Sequence, residues 1–484
     1  MVYEIIGSRI VSPFIGTSTY VWTSLIGVIL ASLSLGYWLG GRVADRYPNA
    51  KILASIIFLA GGLVAITVLI KDIALASVAS LPAGLEIRSL VASVALFGPA
   101  SIALGFVTPY AVKLRMNSLD DSARTVGRLY ALSTVGSIAG TFAAGFFLVP
   151  LVGSVRTLYL LSGVLIAVSL LLAPLALSRS SIGIIALLAL SIVGNEASSY
   201  FAWKSVELRD IDTEYSRVQV LRTTDDATGR PMRVMATDPY FIQSAVYLDG
   251  DDMAVRYGRF YHLIRHFRPG FKRSLMIGGA GYAVPKEYIR TYPDAKIEVV
   301  EIDPQMTEIA RNYFRLPDDP RLTIHHADGR VFLNQSGTGQ YDAVFLDAFG
   351  SLFSIPHQLT TVESVRHVDR VMNENGVVIM NLGGAIRGDT SKFFQAEIAT
   401  YREVFPHVFV FKVKPAYPDE RTQNLIIVAC KSDCDRTPDS SDAQILDLLS
   451  HRYTTEFPID TPILTDDLAP VEYYNSFAQN SYGR

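Results

Sequence analysis

The apolar positions divide the chain into two unlike parts. Up to about residue 200, long apolar runs follow one another, and five of them reach the ~20 residues that a membrane-spanning helix needs. These five runs cover roughly residues 18–40, 52–70, 89–112, 129–151 and 156–177. A sixth run, 181–194, has only 14 residues, which suits a re-entrant or buried helix as well as a span, although it could be extended toward Trp203. We therefore predict a helical membrane domain over residues 1–200 with five or six spans. Residues 2–16 read like the end of a helix that is not there, so either the start has been lost or the protein lacks one span.

Basic residues in the short loops indicate the orientation of these helices. They cluster at 42–51, after the first run, and at 113–128, after the third, and Arg179 follows the fifth. Loops rich in Lys and Arg face the cytoplasm, so these loops are expected there. If 181–194 does not cross the membrane, the C-terminal half is cytoplasmic as well. If it does cross, that half lies outside.

Small residues recur four positions apart within two of the runs. This spacing allows helix backbones to approach closely, so both stripes are predicted to be packing positions. The stripes are Ser32, Gly36 and Gly40 in the first run, and Gly136, Gly140 and Ala144 in the fourth.

Beyond residue 205 the pattern of apolar positions is typical of a globular α/β protein. Alternating apolar and polar residues over 205–260 predict a small antiparallel β-sheet. Strands and helices then alternate, which is typical of a parallel, doubly wound sheet. We expect a Rossmann-like domain of the class I methyltransferase type over 261–435 and a C-terminal segment over 436–484. The predicted strands are 273–279, 296–303, 321–328, 341–349 and 376–382, and the first helices are 284–292 and 304–314.

The amino-acid composition supports this division into two parts and argues against several kinds of partner and site. Residues 1–200 contain 12 Lys and Arg and 7 Asp and Glu, whereas about one residue in four is charged in the remainder. The net charge of −3 does not indicate a nucleic-acid partner. The only cysteines, Cys430 and Cys434, are too few for a disulfide framework or a Cys-built zinc site, and we expect two surface thiols in a loop. No metal site is predicted.

The candidate functional residues lie where the predicted parallel strands end. Ligands of doubly wound sheets bind at these strand ends, and glycines there let a ligand approach the backbone closely. A carboxylate after the second strand can accept hydrogen bonds from both ribose hydroxyls, and one after the third can meet an adenine edge. Gly278, Gly279 and Gly281 follow the first strand, Glu301 and Asp303 the second, Asp328 and Gly329 the third, and Asp347 the fourth.

Two nucleoside cofactors fit such a geometry. A dinucleotide needs a pyrophosphate site, usually G-x-G-x-x-G at a helix N-terminus. Here the turn continues through Tyr282 and Ala283 to Pro285, without a third glycine in register. S-adenosylmethionine and its relatives have no phosphate and carry a cationic sulfonium. The acidic strand ends favour such a sulfonium nucleoside over NAD.

Several motifs resemble the spermidine synthase (polyamine aminopropyltransferase) family. Between about 210 and 430 these are TEYSRVQV, YLDG, MIGGAG, VVEID, ADGRVFL and YDAVFLDAF. Motifs at 3–16, 35–46 and 129–150, with LTDDLAPVE at 464–472, resemble the membrane-integral branch of that family. The resemblance implies transfer of an aminopropyl group from decarboxylated S-adenosylmethionine to an amine such as putrescine, with release of methylthioadenosine. It also implies a homodimer and no permanently bound cofactor.

The resemblance also assigns roles to individual residues. The amine nucleophile must lose a proton, which requires a carboxylate beside it. Asp347 is expected to be this base, with the hydroxyl of Tyr261 in support and His262 next to it in the amine site. Glu301 is expected to bind the ribose and Asp328 the adenine.

Three departures from the family pattern concern the amine. The family has an aspartate in its glycine turn where this chain has Gly281, and a second aspartate after the catalytic one where it has Gly350. A glutamine that usually follows the LDG motif is Met253. These changes weaken binding of a dication, so either the amine differs or other acids substitute. Asp466 and Asp467 are the candidates.

Two other functions remain open at this point. One is a methyltransferase that uses intact S-adenosylmethionine. The other is a transporter or polyamine sensor, against which the scarcity of ionisable residues inside the spans argues. We expect a protein of the cell membrane that contacts the lipid bilayer. Because adenosyl donors are made in the cytoplasm, the catalytic domain is expected on that side.

Overall fold

The computed structural model describes residues 1–16, 18–116, 122–173, 179–237, 242–348, 355–432, 434 and 437–481. The chain forms two compact units, which meet in sequence at Arg217 and Val218.

The first unit is a bundle of helices, and six described helical segments are long and apolar enough to cross a membrane. α4 and α5 together form one of these segments, and α6 continues as a π-helix over Ala144–Val152. The helices are α1 (Val2–Ile15), α2 (Thr19–Arg46), α3 (Ala50–Ala79), α4 (Leu85–Gly105), α5 (Val107–Arg115), α6 (Ser122–Ala143), α7 (Ser154–Leu172) and α8 (Arg179–Val206). Helices occupy all five predicted runs, the fifth as far as Leu172, and positions 174–177 of that run lie outside the described residues.

The sixth run extends as a helix past Trp203, as the sequence allowed. Helix α8 has 28 residues, and its apolar part, Ile182–Val206, qualifies as a candidate span of 25 residues. The polar residues Asn195 and Glu196 end the unbroken apolar run, but the helix continues through them because neither residue breaks a helix. The aromatic residues beyond them restore the apolar character of the segment.

One of the two small-residue stripes packs as predicted. Gly36 of α2 and Gly105 of α4 face each other, and a Cβ at Gly36 would lie 2.3 Å from the carbonyl oxygen of Ile102. The second stripe does not pack in this way within the described residues. A Cβ at Gly136 would meet no atom within 4 Å, and one at Gly140 would meet only a side-chain atom of Val2.

The second unit begins with the predicted small antiparallel sheet. Its strands β2, β3 and β4 pair antiparallel in sequence order. Strand β1 (Arg209–Asp212) precedes the boundary and belongs to the first unit, and the strands that follow are β2 (Arg217–Thr224), β3 (Pro231–Ala236) and β4 (Ile242–Tyr247).

The larger sheet has eight strands in the order β12-β10-β11-β9-β8-β5-β6-β7. The five predicted strands, β5 to β9, are confirmed and run parallel to one another. Beyond the prediction, β11 pairs antiparallel with β9 and β10, and β10 pairs antiparallel with β12. The strands are β5 (Arg273–Ile277), β6 (Lys296–Glu301), β7 (Leu322–His326), β8 (Tyr341–Leu346), β9 (Met372–Gly384), β10 (His407–Lys412), β11 (Gln423–Cys430) and β12 (Arg452–Tyr453).

Helices cover both faces of this sheet. They are α9 (Ile264–Phe267), α10 (Ala283–Thr291), α11 (Pro304–Phe314), α12 (Gly329–Gln335), α13 (Val362–Val371), α14 (Lys392–Arg402), α15 (Ala443–Ser450) and α16 (Val471–Ser481). Side chains of a strand alternate between faces, so Ala343 and Phe345 of β8 join one apolar core while Val344 and Leu346 join the other. From Ala343 to Leu346 the strand is apolar, and Asp347 is the first residue beyond it.

The cysteines differ from the prediction. Cys430 is the last residue of β11, is buried in the core, and forms a disulfide with Cys434. The expectation of two surface thiols in a loop is therefore wrong for Cys430. A cysteine behaves as a small apolar side chain in a strand core, which explains the burial.

Candidate active site

The glycine turn after β5 is in steric contact with the end of β8. Gly278 has a φ of 94°, and its N–H donates to the carbonyl oxygen of Val300 over 2.9 Å. A Cβ at this position would lie 2.7 Å from the carbonyl oxygen of Asp347. Glycine is therefore required here for both its conformation and its size.

Gly281 is fixed by a neighbour on the small sheet. A Cβ at Gly281 would lie 2.5 Å from Oγ of Ser244 on β4. An aspartate at this place, as the resembling family has, would have to displace Ser244. Ser244 therefore leaves no room for a side chain at position 281.

Glu301 at the end of β6 is buried beneath the glycine turn. Its Oε2 accepts the N–H groups of Gly279 and Ala280 over 2.8 and 3.0 Å, and its Oε1 accepts the N–H of Asp303 over 3.0 Å. Burial raises the pKa of Glu301, and the three backbone donors oppose this rise. The carboxylate therefore holds the turn in shape, and Oε1 keeps acceptor capacity for a further hydroxyl.

Two other predicted acids cap helices. Asp303 accepts the N–H of Gln305 at the start of α11, and Asp328 accepts the N–H of Val331 at the start of α12, each over 3.0 Å. Such caps satisfy backbone donors at a helix N-terminus. Asp328 presents its second oxygen to the Gln358 amide at 3.4 Å. A Cβ at Gly329, next to Asp328, would lie 2.6 Å from Ile277.

Asp347 forms the chemical centre of the group. Its Oδ1 accepts the side-chain amide of Asn381 over 2.9 Å, and its Oδ2 accepts the hydroxyl of Tyr257 over 3.2 Å. Burial raises the pKa of Asp347 to about 7, against hydrogen bonds that lower it. A carboxyl with a pKa near 7 can exchange a proton with substrate under ordinary conditions.

Three residues of this group were not identified from the sequence. Asn424 on β11 donates to Oδ1 of Asn381 over 3.0 Å, which turns the Asn381 amide group toward Asp347. The sequence could have indicated Asn381, because this polar residue directly follows the apolar stretch of β9, near the end of the strand. Tyr257 lies in an irregular turn rather than at a strand end, so the strand-end rule did not find it.

The two residues predicted beside Asp347 have different surroundings. The hydroxyl of Tyr261 donates to the carbonyl oxygen of Leu346 over 3.3 Å and also lies close enough to lower the pKa of Asp347. His262 is buried, hydrogen-bonds the hydroxyl of Tyr292 through Nδ1 and lies 3.6 Å from Glu287. The structure thus brings Tyr261 to Asp347 but gives His262 partners elsewhere.

The C-terminal acids do not join this group among the described residues. Asp466 accepts Arg330 over 2.8 Å and the hydroxyl of Thr361 over 2.6 Å, so it anchors the C-terminal segment beside α12. Asp467 is exposed in the following turn, between Thr465 and Leu468. Gly350, the other departure near Asp347, lies outside the described residues. Met253 is buried and contacts the backbone of β4 through a β-bridge to Val246.

Comparison with known proteins finds relatives of the C-terminal part of the chain. Residues 259–434 match the spermine/spermidine synthase domain family. The polyamine aminopropyltransferase of Vibrio vulnificus is 34% identical over 163 residues, covering 33% of this chain and 51% of that protein. The eEF1A lysine and N-terminal methyltransferase of Xenopus laevis is 28% identical over 177 residues, covering 35% of this chain and 24% of that protein.

A third relative also extends over the helical part. Polyamine aminopropyltransferase 2 of Ralstonia nicotianae is 25% identical over 418 residues, which cover 78% of this chain and 75% of that protein. The chain spans about half the length of the Vibrio relative and a quarter of the Xenopus one. The C-terminal half of the chain contains a spermine/spermidine synthase domain.

Proposed function

We propose that this chain is an aminopropyltransferase of the membrane that transfers the aminopropyl group of decarboxylated S-adenosylmethionine to a polyamine. The observation that carries the proposal is the Asp347 carboxylate. It lies directly beyond β8, in contact with the glycine turn, and has a pKa of about 7. A candidate base and a glycine turn suited to a nucleoside therefore lie side by side at the same strand ends.

The donor would bind along the strand ends. The turn at Gly278 and Gly279 lets the adenosyl group approach the backbone, and Oε1 of Glu301 is available to a ribose hydroxyl. Asp328 has one oxygen that does not cap its helix and is suited to an adenine amino group. These three roles follow from the family resemblance, and the geometry supports them through the positions of these side chains at one edge of the sheet.

The chemical step needs a neutral amine. An ammonium ion pairs with ionised Asp347, which accepts one proton and leaves the nitrogen lone pair free. The nitrogen attacks the propyl carbon next to the sulfonium, forming a C–N bond as the C–S bond breaks. The bonding electrons go to sulfur, which leaves as the neutral thioether methylthioadenosine. Asp347 then returns its proton to water. Holding the amine in line with the C–S bond supplies much of the remaining acceleration.

The amine site of this chain has fewer acidic residues than the family pattern. Two acids that the family uses near the amine are Gly281 and Gly350 in this chain. With fewer carboxylates, the site holds a second ammonium group weakly, so we propose modest discrimination among diamines and longer polyamines. Asp466 and Asp467 remain proposed contributors only if the C-terminal segment rearranges when the amine binds.

A second candidate function is methyl transfer from intact S-adenosylmethionine. The missing amine acids favour it, and so does the Xenopus methyltransferase relative. The two reactions release different nucleosides. Aminopropyl transfer yields methylthioadenosine, whereas methyl transfer yields S-adenosylhomocysteine.

The helical unit is proposed to cross the lipid bilayer, since six of its described segments have the length and composition of spans. A homodimer is proposed from the family resemblance. Neither property enters the chemical step.

The testing experiment uses the full chain in detergent. Decarboxylated and intact S-adenosylmethionine are supplied in parallel reactions with mono-, di- and triamines, and the nucleoside product is identified by mass spectrometry. Amine-dependent methylthioadenosine supports the proposal. S-adenosylhomocysteine formed from intact S-adenosylmethionine, with no methylthioadenosine from any amine, would favour the methyltransferase instead.

A further inference from the structure

We infer that the catalytic half of the chain emerges on the extracytoplasmic face of the membrane. This replaces the expectation of a cytoplasmic catalytic domain, which assumed a short 181–194 segment and relied on the place where the donor is made. The inference uses only contacts within the helical unit, the covalent continuity of the chain and one bond in the second unit.

One end of the helical unit carries the basic residues. Lys113 at the end of α5 forms an ion pair of 2.8 Å with Asp45 at the end of α2, and Tyr110 donates to the carbonyl oxygen of Tyr47. The chain continues from α2 directly into α3 at Ala50. These elements therefore meet at one end of the bundle, which we call the basic end.

Helix α7 runs from the opposite end toward the basic end. The hydroxyl of Ser169 donates to the carbonyl oxygen of Ala54 over 2.6 Å, near the start of α3, and Ser162 donates to Gly61 over 2.8 Å. The two helices are therefore antiparallel. Ser154 begins α7 fifteen residues before Ser169, so it lies about 22 Å farther from the basic end.

Helix α8 returns across the unit. Ile184, near its start, contacts Gly62 of α3, and the carbonyl oxygen of Ser191 accepts the hydroxyl of Tyr159 over 2.8 Å. Tyr159 lies one turn and a half from the start of α7. Gly62 lies near the middle of α3, so α8 advances from the middle of the bundle toward the first turns of α7.

The residues after α8 are fixed at the far end. The carboxylate of Asp212 accepts the N–H of Ser154 over 2.8 Å. The neighbouring carbonyl of Thr213 accepts Arg9 over 3.3 Å. Because Asp212 meets the beginning of α7, the chain has crossed the whole unit by this point. Everything that follows leaves from the end opposite the basic end.

The positive-inside rule assigns the basic end to the cytoplasm. The basic clusters at 42–51 and 113–128 belong to the basic end, while at the opposite end Arg88 follows the turn between α3 and α4 and Arg156 follows the turn at 153. The second unit then begins outside. Its disulfide between Cys430 and Cys434 agrees, because structural disulfides persist mainly in oxidising compartments.

This sidedness has a consequence that rests on the proposed function. A sulfonium nucleoside carries a fixed charge and does not cross a bilayer unaided. A transport step that delivers the nucleoside to the outer face must therefore precede this reaction, and the thioether product is released on the same face.

Cysteine accessibility tests the inference in whole cells. The background is Cys430→Ser with Cys434→Ser, which removes the chain's only cysteines. Thr338→Cys places a thiol in an exposed turn of the catalytic half, and Ala50→Cys places a matched one at the exposed start of α3. A membrane-impermeant maleimide should label Thr338→Cys in intact spheroplasts and Ala50→Cys only after the membrane is opened. Labelling of Thr338→Cys only after opening would overturn the inference.

A second measurement uses the unaltered chain. Protease added to intact spheroplasts should remove peptides from residues 218–481, detected by mass spectrometry, and survival of these peptides until the membrane is opened would overturn the inference. Neither experiment depends on catalysis. A chain that is accessible from outside but makes no methylthioadenosine in detergent would refute the proposed function and leave the sidedness intact.

Discussion

The hydroxyl of Tyr257 lies 3.2 Å from Oδ2 of Asp347, although 90 positions separate the two residues in sequence. The turn after the small sheet thus supplies a donor to a carboxylate at the end of the central β8 strand. Burial holds the pKa of Tyr257 well above its ordinary value, so the hydroxyl stays protonated and keeps donating at neutral pH. The pair defines the protonation chemistry of the site.

Removing this donor should shift the pH dependence of the reaction. The hydrogen bond favours ionised Asp347, so Tyr257→Phe raises the pKa of the carboxyl above about 7. Since the ionised form is the base, the acid limb of kcat/KM moves to higher pH, and the rate at pH 7 falls roughly 10-fold. The matched control is Tyr288→Phe, whose hydroxyl bonds Ser274 in the core and does not touch Asp347. An unmoved acid limb in Tyr257→Phe would contradict the assigned contact.

The glycine turn offers a test of steric contact. Gly278→Ala places a methyl group 2.7 Å from the carbonyl oxygen of Asp347, so it should displace the base and lower kcat by about 100-fold. Gly270→Ala is the control, because Gly270 also has a positive φ, of 76°, but has open space around it. Both variants bear similar backbone strain. Equal losses of kcat in the two would show that strain rather than contact accounts for the effect.

The buried base should cost stability. The pKa of Asp347 is about 7 in the folded chain and 3.8 without its surroundings. As pH rises from about 4 to 7, the unfolded chain releases this proton before the folded one, so stability falls and then stays level. Asp347→Asn carries no such charge. Its Tm should exceed that of the unaltered chain at pH 8, and the difference should vanish near pH 4. A difference independent of pH would argue against a buried, titrating carboxyl.

The two C-terminal acids should differ in effect. Asp466 is bound to Arg330 and Thr361, whereas Asp467 is exposed. Asp466→Ala should therefore loosen the segment around α12 and raise KM for the donor several-fold, with KM for the amine unchanged. Asp467→Ala should leave both constants unchanged. A raised amine KM in either variant would instead support the role as substitute amine ligands that the sequence suggested.

The sequence predicted those parts of the molecule that depend on local pattern. Strands β5 to β9 follow from alternating apolar runs, and Asp347 follows from the rule that ligands bind at strand ends. Contacts between residues far apart in the chain could not be predicted from the sequence. The partners of Tyr257 and Asp466 lie 90 and more than 100 positions away, and no spacing in the chain encodes them.

In the helical unit, too, local sequence patterns did not predict long-range contacts. The apolar run at 181–194 ends before Asn195, but helix α8 continues to Val206. A hydropathy pattern shows which residues suit contact with lipid, and it does not give the length of the helix. The contact between Asp212 and Ser154, which places the end of α8, is again long-range. The second glycine stripe was misjudged because close packing depends on a partner helix that α6 lacks at Gly136 within the described residues.

The most direct test of the account is the mass of the amine after reaction. The unaltered chain and Asp347→Asn are each incubated in detergent with a panel of polyamines and either decarboxylated or intact S-adenosylmethionine, in parallel reactions. We expect one acceptor to gain a single aminopropyl group, in equal amount to the methylthioadenosine released, and Asp347→Asn to lose at least ~100-fold of this rate. An acceptor that gains a methyl group from intact S-adenosylmethionine, or a product rate unchanged in Asp347→Asn, would contradict the account.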